Sequence, residues 1–118
     1  MADGGAATAM RVSMFSVCDH YPDEGRSTDR FVDEVLDEIV LAEELGYPAY
    51  WIAEHHFHEY GMITNPAQFL AVAAARTKRI RLGPAISVLT FHNPLLVAED
   101  YAFLDRLSGG RLNMGVGS

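Results

Sequence analysis

A parallel α/β fold is predicted by three features of this sequence. Short apolar β-type runs alternate with helical patterns in the order β-α-β-α-β-α-β. The later strands begin near residues 49, 80 and 111, a repeat of about thirty residues, which is the length of a βαβ unit. The strand runs carry little clean polar alternation, as expected of strands covered on both faces. Connections this long imply parallel strands. Two architectures satisfy the pattern: a doubly wound open sheet, and the first half of a (β/α)8 barrel.

The strand runs are Arg11–Val17, Ala49–Ala53, Ile80–Leu89 and Arg111–Val116. The first helix is expected from about Thr28 to Leu45, because Phe31, Val35, Ile39 and Ala42 recur on one helical face. Val32, Leu36 and Val40 widen that stripe. Thr28 is placed to cap its start and Gly46 to supply a left-handed stop. The second helix opens at Asn65-Pro66. Asparagine accepts from the free N–H groups of the first turn, and proline loses nothing at the first helical position. Gln68 stands where a capping box needs it. The alanine-rich helix ends near Arg76–Arg79, where cations suit the negative end of the dipole. The third helix repeats the device at Asn93-Pro94 and ends at Gly109-Gly110, with Val97, Tyr101 and Leu104 on its apolar face.

A complete barrel takes typically ~250 residues. Four strands and three helices in 118 residues are therefore expected to be the N-terminal part of one. Residues 1–10 are small and carry no basic start, and are expected to be a disordered tail preceding a domain over 11–118. The 49% hydrophobic content is enough for a core. A net charge of −7, from 16 acidic and 9 basic residues, disfavours nucleic acid as a main partner. Cys18 is the only cysteine, which excludes an intrachain disulfide framework and makes a reducing, cytoplasmic setting the expectation. No apolar run approaches the ~20 residues of a membrane span.

The chemistry is concentrated in Glu54-His55-His56-Phe57-His58-Glu59-Tyr60-Gly61. Three of the five histidines fall here, directly after the second strand. In parallel α/β folds that end of a strand is where ligands bind, and imidazole exchanges protons near neutral pH. If the extended conformation persists, His55 points away from Glu54 and His56, so that one group faces the barrel mouth while its neighbours brace it. A metal reading uses His56 and His58 with Glu54 or Glu59, but the pattern is short; His20 and His92 stand alone near other strand ends. Gly115-x-Gly117 is the possible opening of a glycine-rich loop.

Several ordered segments resemble the luciferase-like monooxygenases: Trp51-Ile52-Ala53-Glu54-His55-His56-Phe57, Asn65-Pro66, Arg76-Thr77-Lys78-Arg79-Ile80-Arg81-Leu82-Gly83, His92-Asn93-Pro94 and Leu104-Asp105-Arg106-Leu107-Ser108-Gly109-Gly110-Arg111. The resemblance runs from about Met10 to Ser118. It implies a (β/α)8 barrel with flavin at its C-terminal mouth, and an enzyme that uses reduced FMN from a separate reductase, with O2, to oxygenate a small organic substrate. It implies His55 as the catalytic group, in proton transfer or in stabilising a peroxyflavin, supported by Glu54 and His56. It implies a non-proline cis peptide at Ala85 and Ile86, with Ser87 next, beside the flavin, and Gly115, Gly117 and Ser118 near it. Gly117 and Ser118 depart from the luciferase pattern, which makes light emission from an aldehyde doubtful. It also implies a homodimer through the second and third helices. Alternative readings are a deazaflavin-dependent dehydrogenase or reductase on the same barrel, a metal-dependent barrel hydrolase, and a truncated non-enzymatic fragment.

Overall fold

In the computed structural model, the described residues are 9–118 apart from Glu59. Most of the expected tail therefore lies outside the described residues. The elements are β1 (Met14–Ser16), α1 (Thr28–Glu44), β2 (Ala49–Ile52), α2 (Pro66–Arg76), β3 (Arg81–Pro84), β4 (Ser87–Val88), α3 (Pro94–Ser108) and β5 (Val116–Gly117).

β1, β2 and β3 form a parallel sheet in chain order, with Phe15, Trp51 and Gly83 in register. Tyr50, Ile52 and Leu82 are fully buried, among Phe31, Val35 and Ile39 of α1 and Leu70, Ala73 and Ala74 of α2. Residues alternate across a strand, so Phe15 and Trp51 belong to the other face, away from the helices. Phe15 is 53% exposed there.

The third strand differs from its sequence expectation. The run Ile80–Leu89 is broken after Pro84 by a cis Ala85–Ile86 peptide bond, at the position the family resemblance implies. Beyond it, β4 pairs in parallel with β5 instead of with β2. The last strand is likewise shorter than Arg111–Val116. Leu112 makes a single parallel bridge to Leu82, and regular pairing resumes only at Val116. Gly115 permits this approach, since a Cβ there would overlap the carbonyl oxygen of Pro84. The expected four strands thus appear as five segments, all parallel to their neighbours.

The helix ends follow their caps. Ser27, not Thr28, caps α1, its hydroxyl accepting from Arg30 N–H; the sequence offers two adjacent hydroxyls and does not distinguish them. Asn65 accepts from Gln68 N–H at 3.1 Å, and Asn93 from Leu95 N–H at 2.9 Å. Gly46 and Gly109 adopt the left-handed conformation that ends α1 and α3.

The basic cluster is absorbed by the fold. Arg76 faces Asp33 and Asp37, and Arg81 bonds to Asn113 and to the carbonyls of Gly110 and Leu112. The N–H groups of Lys78, Arg79 and Ile80 all donate to the Glu43 carboxylate, at 2.9, 2.6 and 2.8 Å. Burial pushes that carboxyl up, but the three N–H bonds outweigh it and hold it below its ordinary range. No described helix is long and apolar enough to cross a membrane.

Candidate active site

The C-terminal ends of β2 and β4 carry the titratable cluster. Glu54 follows β2 with its side chain fully enclosed. Its Oε1 meets His56 Nε2 at 2.6 Å and His92 Nε2 at 2.5 Å, and its Oε2 accepts from Val88 N–H at 3.0 Å. Burial raises the carboxyl, yet the bonds from His56, His92 and Val88 outweigh it, so the net direction is down and the group is a carboxylate. A carboxylate only accepts hydrogen bonds, so both imidazoles donate through Nε2–H.

His92 was not singled out by the sequence, where it stands alone. It sits 38 positions from Glu54, and only the fold joins them. The available signal was its place at the end of the third strand, the same rim as Glu54. Phe91, from the same turn, packs against His56 with ring centroids 4.9 Å apart and the rings tilted by 56°.

Glu54 was expected to brace His55 together with His56; among the described residues it bonds instead to His56 and to His92. His55 has different neighbours. Its backbone N–H donates to Ile63, its ring lies 5.4 Å from Tyr60, and its Cβ is so close to Gly61 that any side chain there would overlap it. Its Nε2 is buried and has no partner among the described residues. Glu54 instead shares a small cavity with Pro66, Ser87, Val97 and Tyr101, on the helix side of the strands. The two neighbours therefore turn to opposite sides of the chain, as strand alternation predicts.

The other site residues divide in the same way. Ala85 and Ile86 are half-buried at the β3–β4 break, and Ser118 is exposed. Ser87 is buried; its N–H bonds to Gly115 O, and it lines the helix-side cavity with Tyr101. Gly117 lies against Ile86, whose terminal methyl a Cβ would overlap.

The metal expectation also changes. His58 is exposed and accepts from Tyr60 N–H through Nδ1 at 3.0 Å, so it lies apart from the cluster, and Glu59 is outside the described residues. The ligand atoms that do converge belong to Glu54, His56 and His92, within 4.8 Å of one another. That set is of a type that holds a divalent ion, but the hydrogen bonds already satisfy the carboxylate without one.

Parallel strands in chain order, helices on one face and a carboxylate–imidazole cluster at the strands' C-terminal ends define an α/β fold of the kind that binds ligands at that rim. The family description "Luciferase-like monooxygenase" matches residues 10–118, and the chain belongs to that family.

Among curated relatives, it is 45% identical over 84 residues to 4-hydroxyprotoasukamycin monooxygenase of Streptomyces nodosus subsp. asukaensis, covering 69% of this chain and 23% of the relative. It is 32% identical over 107 residues to the oxygenase component of the flavin-dependent trigonelline monooxygenase of Acinetobacter baylyi, covering 91% and 29%. Among solved structures, it superposes on monooxygenase RslO1 from Streptomyces bottropensis with a TM-score of 0.84 at 39% identity, covering 92% of this chain and 33% of that one. The oxygenating constituent of 3,6-diketocamphane monooxygenase from Pseudomonas putida, solved with FMN, gives 0.84 at 28% identity, with coverage of 92% and 29%. The coenzyme F420-dependent tetrahydromethanopterin reductase of Methanopyrus kandleri gives 0.64 at 28%, with coverage of 92% and 27%. The chain thus spans a third or less of the length of these proteins.

Proposed function

We propose that the chain is the N-terminal part of a (β/α)8-barrel monooxygenase that uses reduced FMN and O2 to oxygenate a small organic substrate. The observation that carries this reading is His55, a half-buried imidazole at the end of β2 whose Nε2 is enclosed and has no protein partner among the described residues. A buried polar atom left unpaired is costly, and a polar edge of a bound cofactor or substrate satisfies it. The sheet face away from the helices, with Phe15 and Trp51 in register, suits a flat heteroaromatic ring. These residues therefore fit a flavin.

Reduced flavin supplies the electrons that activate O2. His55 holds or moves a proton at Nε2 beside it. Ala85, Ile86, Gly115, Gly117 and Ser118 flank the ring, of which Gly117 is already in contact with Ile86. Glu54 and His56 shape the rim next to His55. The segment alone is expected to bind flavin poorly, because it covers only a third or less of its relatives.

FMN is favoured by the P. putida structure that contains it. A separate flavin reductase as partner is favoured by the relative named as an oxygenase component. A deazaflavin-dependent dehydrogenase is the second reading, favoured by the likeness to the F420-dependent reductase. Titrating the full-length protein with FMN and with F420, and then following O2 uptake with reduced FMN, separates the two. FMN binding with O2 consumed and an oxygenated product supports the monooxygenase. F420 binding with no O2 uptake overturns it.

A homodimer through α2 and α3 is part of the same proposal. A groove of about 220 Å³ runs between these helices, lined by Ala67, Ala71, Phe103, Leu104 and Leu107, and Phe103 and Leu107 are largely exposed. Sedimentation of the full-length protein at twice the monomer mass is the expected result; a monomer at micromolar concentration contradicts it.

A further inference from the structure

We infer that His92 is a positioning residue of the candidate site: by sharing the Glu54 carboxylate with His56, it holds His56 in the tautomer that keeps Nδ1 as its basic nitrogen. The inference rests on the proposed function only where turnover is concerned.

The geometry is specific. Glu54 is fully enclosed and has no water-facing oxygen of its own, so its charge is stabilised only by the three donors that reach it. Two of these are imidazole Nε2–H groups on the same oxygen, at 2.6 and 2.5 Å. The third, Val88 N–H, occupies the other oxygen and is fixed by the strand. The carboxylate in turn fixes which nitrogen of each imidazole carries the proton, because it cannot donate. In the neutral ring His56 thereby keeps Nδ1 as its unprotonated nitrogen, and this nitrogen has no hydrogen-bond partner among the described residues. A carboxylate bonded to one imidazole nitrogen fixes the ring's tautomer and direction.

His92 acts at one remove. Without it, Oε1 keeps a single donor, the carboxylate loses a third of its stabilising bonds in a site closed to water, and the Glu54–His56 bond is no longer held in one place. His92 also anchors the turn that carries Phe91, the ring packed against His56. One residue at the start of α3 thus governs both the electronic and the steric surroundings of an imidazole at the end of β2.

The test uses the full-length protein labelled with ¹⁵N-histidine, in wild-type form and as His92→Phe and His92→Gln. Glutamine retains an N–H donor at about the reach of Nε2; phenylalanine retains only the ring. In the wild type, His56 is expected as the Nε2–H tautomer. His92→Phe should leave His56 a mixture of tautomers and lower kcat about tenfold, the lower end of the effect of removing such supporting partners, with KM little changed. His92→Gln should restore both. A wild-type His56 protonated at Nδ1 overturns the inference, as does a His92→Phe protein with the wild-type His56 spectrum and kcat. If His92→Phe does not fold, the wild-type tautomer and the His92→Gln protein still decide. The spectra need no turnover, so a protein that consumes no O2 with reduced FMN defeats the proposed function while the spectra still judge the clamp.

Discussion

Replacing Arg111 with methionine should destabilise the full-length protein by about 2–4 kcal/mol, because buried acceptors left without a donor each cost roughly 1–3 kcal/mol and water recovers part of that loss. Arg111 follows α3 and turns back into the junction of three elements. Its Nε donates to Ser108 O at 2.6 Å, one terminal nitrogen to Thr77 Oγ1 and Ile80 O at 2.9 and 3.0 Å, and the other to Ala74 O and Thr77 O at 2.9 and 3.3 Å. Four of these acceptors are carbonyls at the C-terminal end of α2, the entry to β3 and the last turn of α3, and the fifth is the Thr77 hydroxyl. A planar fork with five donors matches them; a lysine ammonium does not, so Arg111→Lys should recover only a minor part. Denaturant unfolding of the three proteins checks this, and a methionine variant with an unchanged midpoint would contradict it. The residue is remote from His55, so turnover of the folded variant should survive.

His55 carries the larger effect on activity. It stands on the opposite side of the chain from Glu54, and it is held by Tyr60 and Gly61 rather than by a carboxylate. Its Nε2 makes no hydrogen bond among the described residues, so a reacting group can engage it without first breaking an internal bond. A positioned acid–base group contributes roughly 10²–10⁴-fold to rate.

The sequence revealed the helices and the rim well, and the joins between strands poorly. Asn65-Pro66 and Asn93-Pro94 announce their helices because cap and first-turn chemistry is local. The Glu54-His55-His56 run lies where the end of β2 was expected, and its alternation survives in the fold. The break inside Ile80–Leu89 has no compositional mark, since an apolar run reads as one strand whichever neighbour it pairs with; only the family resemblance placed it at Ala85 and Ile86. His92 was missed for a related reason. Its partner Glu54 is 38 positions away, and a lone histidine reveals nothing until the fold brings the ends of β2 and β4 together. The grouping of His56 with His58 failed because adjacency in an extended segment ends at the turn, where His58 bonds to Tyr60 N–H instead.

Whether the imidazole of His55 faces the reacting flavin is decided by single-turnover kinetics of the full-length protein carrying His55→Ala, with His55→Gln as a variant that better preserves the packing against Gly61. FMN affinity is expected within a few-fold of wild type, and the turnover rate reduced at least about a hundredfold. Wild-type turnover in either folded variant would contradict that placement.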